Sequence, residues 1–145
     1  MKWTALIVSL WTAVIGTSAV QSQLPASWYF EPQPLHVTDA AAGSCPAITY
    51  DREIWHEFRA DWVVTIDRQA DNGTFWVWRT YHGTNDYSPD ATTPPTADLC
   101  WWTWDDNLSM PAGAYRVRTL WQLDVPGGVK EIRRGSNVFT VSAVR

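Results

Sequence analysis

Residues 99–141, LCWWTWDDNLSMPAGAYRVRTLWQLDVPGGVKEIRRGSNVFTV, read as one strand, a corner and a hairpin. Cys100 opens the stretch, three tryptophans crowd Trp101 to Trp104, and Pro111-Ala-Gly113-Ala-Tyr115 marks the corner. Tyr115, Val117, Thr119, Trp121 and Leu123 then alternate with Arg116, Arg118, Leu120, Gln122 and Asp124. A period of two over ten residues is the pattern of a strand with one face buried. Pro126-Gly127-Gly128 turns the chain, and Phe139 and Val141 give the closing strand its apolar face.

The same signals recur upstream. Trp62, Val64 and Ile66 alternate with Asp61, Val63, Thr65 and Asp67, and Asn72-Gly73 marks a hairpin turn. Thr74 to His82 is the partner strand, with Phe75, Val77 and Tyr81 on one face and Trp76 and Trp78 on the other. Ile48 to Phe58 fits a strand or a helical turn. Pro25, Pro32 and Pro34 exclude a helix before Thr38 and leave room for short edge strands. Residues 83–98 form a polar, proline-containing loop long enough to be functional. Short strands, turn signals and almost no helical period predict an all-β, antiparallel β-sandwich.

Residues 1–22 carry Lys2, an apolar run from Ala5 to Ile15 and a small-residue cleavage site at Thr17-Ser18-Ala19, the pattern of a signal peptide. The alternative is an uncleaved anchor, for which the apolar run is short. One domain is expected over 23–145, with no membrane span in the mature chain, in a secreted, periplasmic or virion or cell-surface protein. Without Lys2, ten basic residues face fifteen acidic ones, a net charge of −5 that disfavours nucleic acid as a partner. Cys45 and Cys100 are the two cysteines, and in an exported chain one disulfide is the simplest use of them. Two buried free thiols are the alternative.

Leu108-x-x-Pro111-x-Gly113-x-Tyr115-x-Val117 resembles the corner before the penultimate strand of immunoglobulin-like and fibronectin III-like domains. Ser136 to Val141 similarly resembles their last strand. The resemblance implies that the Tyr115 hydroxyl bonds back to nearby backbone. A Cys45–Cys100 bridge departs from the usual immunoglobulin pairing, because Tyr115 opens the relevant strand after Cys100. More broadly, the chain looks like small exported proteins of bacteria and their phages.

Nine of the eleven tryptophans lie beyond residue 22. Trp62 and Trp121 fall on buried strand phases. The candidate binding residues are Trp76, Trp78, Trp101, Trp102, Trp104, Tyr87 and Asp105, because exposed aromatic rows mark interaction sites. Core packing is the competing use of the same rings. His36, His56 and His82 lie apart, and no nucleophile elbow, phosphate loop or metal-ligand spacing occurs. The expectation is therefore a binding module rather than an enzyme, with no cofactor and no metal. Its partner is a surface glycan or protein; a structural decoration or adhesion module of a virion or cell envelope is the alternative.

Overall fold

The computed structural model describes residues 23–92 and 97–144, so the expected signal peptide lies outside the described residues. Eleven strands follow in order: β1 Phe30–Pro32, β2 His36–Val37, β3 Ala40–Ala41, β4 Ala47–Thr49, β5 Arg52–Ile54, β6 Phe58–Gln69, β7 Phe75–Tyr87, β8 Ala97–Asp98, β9 Gly113–Val125, β10 Gly128–Gly135 and β11 Phe139–Ser142. Among the described residues a single 3-10 turn, Ala26–Trp28, forms in the proline-punctuated start where no helix was expected, and a short helix, α1, spans Leu99–Thr103. The chain is mostly β and carries one disulfide, as expected.

The large sheet runs β3-β11-β9-β6-β7, with β10 also paired to β9. Its centre is the β6–β9 pair, where the two alternating patterns meet: Trp62 faces Trp121 and Ile66 faces Val117 across the ladder, all four buried. Both turns use glycine where left-handed backbone is required. Gly73 has φ +83° in the β6–β7 turn and Gly127 φ +95° in the β9–β10 turn. Two smaller sheets are β1-β5 and β2-β4-β8, and Phe30, Val37 and Ile48 from them join Trp62 and Trp121 of the large sheet in one buried core. Phe30 of β1 lies 5.3–5.6 Å from the rings of Phe58, Tyr87 and Trp121. At the corner the Tyr115 hydroxyl donates to the Pro111 carbonyl at 2.7 Å.

The expectation of an all-antiparallel arrangement is corrected, because β3 pairs parallel to β11. Asp39 makes this possible: its Oδ1 accepts from the Thr140 amide at 2.6 Å and holds the first segment beside the last strand. Nearby, Asn137 behaves as a stretch of backbone. Its Oδ1 accepts from Val37 N and its Nδ2 donates to Val37 O, both at 2.9 Å.

Three local readings change. Residues 99–103 are helical rather than a strand, because Asp98 caps the segment and the Thr103 hydroxyl bonds back to Leu99 O at 2.7 Å. The 83–98 loop is shorter than its composition suggests: β7 continues through Tyr87, paired residue by residue with Phe58 to Trp62. Residues 93–96 of that loop lie outside the described residues. Finally, β7 carries an extra residue, Trp78, between the pairs Ile66–Arg79 and Asp67–Val77. A bulge reverses the alternation, so Tyr81 does not share a face with Phe75 and Val77. Among the described residues no helix is long and apolar enough to cross a membrane.

Candidate functional site: an aromatic cleft

The helix that replaces the expected strand builds the site. With 3.6 residues per turn, Trp101, Trp102 and Trp104 point in three directions instead of alternating. Trp102 turns inward, 4.4 Å from the Tyr50 ring, and its Nε1 donates to Thr119 Oγ1 at 3.2 Å. Trp101 stays outside, 42% exposed. Trp104 caps the helix in the left-handed region, φ 56°, the one non-glycine residue described with positive φ. That conformation costs about 1–2 kcal/mol. It swings the indole edge-on over Trp62 at 4.8 Å while leaving it 58% exposed.

Between these rings and the sheet lies a cavity of about 60 Å³, lined by Tyr50, Arg52, Trp62, Val64, Asn85, Tyr87, Trp101, Trp102, Trp104, Thr119 and Trp121. Cys45 and Cys100, 5.8 Å apart at Cα, are bonded and fasten α1 to the chain entering β4. Arg52 stands between two rings, its guanidinium carbon 5.5 Å from the centres of both Tyr50 and Tyr87. Arg52 Nε and the Tyr50 hydroxyl are buried, and neither has a hydrogen-bond partner among the described residues. Burial pushes the Tyr87 hydroxyl above its ordinary pKa, against the opposing Arg52 charge and hydrogen bonds from Trp121 and Asn85.

Compared with known protein families, curated proteins and solved structures, the chain matches none.

Four of the candidate residues, Tyr87, Trp101, Trp102 and Trp104, come together in the cleft. Three do not. Trp78 packs against Tyr115 at 5.6 Å beneath Arg79, and Trp76, half exposed, lies toward the far end of β7, so the two form no shared platform. Asp105 is already engaged: its carboxylate accepts from the Tyr81 hydroxyl at 2.9 Å, from Arg79 at 3.4 Å and from the Asn107 amide at 3.1 Å. Cys45, Asp98 and Cys100 are close enough together to resemble a metal site. Their sulfurs are bonded to each other, and Asp98 Oδ1 accepts from Trp101 N.

Sequence reasoning missed Tyr50 and Arg52. Their signal was present in the ambiguous 48–58 segment, where Ile48, Tyr50, Arg52 and Ile54 repeat with period two and put an arginine on an otherwise apolar phase. It also missed Gly83, which faces Trp62 across the β6–β7 ladder. A Cβ there would stand 2.8 Å from Trp62 Cε2 and 3.0 Å from Trp104 Cζ3. Gly83→Ala is expected to destabilise by about 1–3 kcal/mol, the usual cost of overpacking. Urea unfolding measures it, and an unchanged midpoint would refute the tight stacking of these rings.

Proposed function

We propose that the chain is an exported, non-catalytic binding module with an immunoglobulin-like β-sandwich fold, and that it holds a surface carbohydrate in the cleft between α1 and the large sheet. The fold reading is supported by the core that Val37 and Ile48 of β2-β4-β8 share with Trp62 and Trp121 of the large sheet, and by the Tyr115–Pro111 bond at the corner. Export is supported by the disulfide.

The observation that carries the function is the pairing of exposed indoles with orphaned polar atoms in one recess. A sugar offers an apolar C–H face and a polar rim. Trp101 and Trp104 supply flat surfaces for the first, and Tyr50, Arg52 and Asn85 supply donors for the second. A non-catalytic role is supported by the positions of His36, His56 and His82, which are exposed and form no ion pair with a carboxylate among the described residues.

Intrinsic tryptophan fluorescence, titrated with a panel of soluble polysaccharides, tests this reading. A saturable shift is expected, weakened about tenfold or more (about 1.4 kcal/mol) by Trp104→Gly, and unchanged by Trp76→Ala. Glycine suits position 104 because the backbone there is left-handed. No response across the panel, or loss of binding in Trp76→Ala alone, would refute the assignment.

A further inference from the structure

The geometry points to a carboxylate as the group recognised in the cleft, so that the ligand is an acidic saccharide of the uronic acid type. This rests on the cleft being a carbohydrate site and adds what kind. Six of the eight described arginines pair with a carboxylate at 2.7–3.7 Å. A seventh, Arg68, donates its Nη2 to the Ala112 carbonyl at 2.9 Å. Arg52 alone has neither a carboxylate nor a side-chain hydrogen bond among the described residues, and it is the one that lines the cleft.

The protein thus holds a cation between two tyrosine faces without supplying its counter-ion. Aromatic faces attract the charge of a guanidinium, but they give its N–H groups no oxygen to bond. A guanidinium is a planar fork matched to the two oxygens of a carboxylate. The hydroxyl of Tyr50, buried and without an acceptor among the described residues, adds a further donor in the same recess. A neutral sugar hydroxyl could accept from one of these groups and would leave the charge uncompensated.

Size agrees. A cavity of about 60 Å³ takes a handful of water-sized positions, which suits a carboxylate and the ring carbon that bears it. The remainder of the sugar would lie at the mouth, against Trp101 and Trp104. The net charge of the whole chain is −4, which opposes an anionic ligand at long range. Recognition must therefore come from Arg52 at contact distance, and Arg52 becomes the specificity-determining residue.

The test compares trigalacturonate, its methyl ester and a neutral galactan trisaccharide by calorimetry on the disulfide-intact protein. The free acid is expected to bind at least tenfold more tightly than the ester. Arg52→Gln should abolish that preference by weakening the acid at least tenfold more than the ester, and Tyr50→Phe should weaken the acid severalfold. Equal binding of acid and ester, or an acid preference that survives Arg52→Gln, would overturn the inference and leave the carbohydrate reading intact. Binding of none of the saccharides would overturn the reading itself. An acidic tripeptide bound as tightly as trigalacturonate would overturn the commitment to a sugar. Should Arg52→Gln fail to fold, the acid-to-ester ratio and Tyr50→Phe decide the matter.

Discussion

Replacing both Cys45 and Cys100 by alanine is expected to lower the stability of the protein by about 4 kcal/mol. The two residues are 55 apart in sequence, so the bridge closes a long loop whose freedom the unfolded chain otherwise regains. In the folded state the bond fastens a five-residue helix, too short to persist on its own, over the entry to β4. Urea unfolding followed by tryptophan emission reads the loss, and the double variant avoids leaving one unpaired thiol. Because α1 carries Trp101 and Trp102 and ends at Trp104, saccharide affinity should fall in the same variant. A stability loss below about 1 kcal/mol would mean that packing alone holds the helix in place.

The second large effect is expected at Asp67, only 2% exposed although it lies on the side of the large sheet away from the core. Arg118 holds both of its oxygens, Nε to Oδ2 at 2.7 Å and Nη2 to Oδ1 at 2.8 Å, and Arg116 Nε reaches Oδ2 at 2.9 Å. The Arg116 guanidinium in turn lies 4.3 Å from the centre of the Phe75 ring. Burial alone would raise the Asp67 pKa. The bonds from Arg118 and Arg116 outweigh it and hold the carboxyl below its ordinary value. Asp67→Ala should cost about 3 kcal/mol near neutral pH, at the lower edge for a broken buried pair because both arginines are half exposed.

The sign of the pH dependence follows from that depression. Asp67 binds its proton less readily folded than unfolded, so its stabilisation is complete above the unfolded pKa of about 3.9 and is lost as pH falls through the lower folded value. The gap in unfolding free energy between wild type and Asp67→Asn should therefore be widest at pH 6–7 and narrow below about pH 4. A gap independent of pH over that range would show that the carboxylate charge is not what the two arginines hold.

The central pair of strands was legible because β6 and β9 bury one face each, so their side chains obey a strict period of two. Where a second constraint competes, the pattern misleads. Trp101-Trp102-Thr103-Trp104 alternates like a strand, yet Asp98 offers its carboxylate to the Trp101 amide and starts a helix. The decisive residue there is polar and precedes the apolar run, as capping residues do. Gly83 to Asp86 have turn composition, yet β6 supplies a partner for every one of them. The bulge at Trp78 has no local signal, since it depends on the register of two strands against each other. For the same reason the cleft could be half foreseen. The tryptophans stood out by number, whereas Arg52 acquires meaning only when Tyr87, 35 positions later, closes over it.

The side-chain bridge from Asn137 to Val37, the Asp39–Thr140 bond and the parallel pairing of β3 with β11 tie together residues about 100 apart. A chain emerging from a ribosome or a translocation pore delivers residues 36–41 early and their partners last. The large sheet can grow from the β6–β7 hairpin and accept β9 and β10 as they appear, and β2 can pair with β4 early, but β3 gains its strand partner only once β11 has cleared the exit. Distant pairings of this kind slow folding, so completion of the domain is timed by its C-terminal residues. A chain halted before Asn137 would expose its N-terminal segment to proteases, whereas one released after Ser142 would shield it.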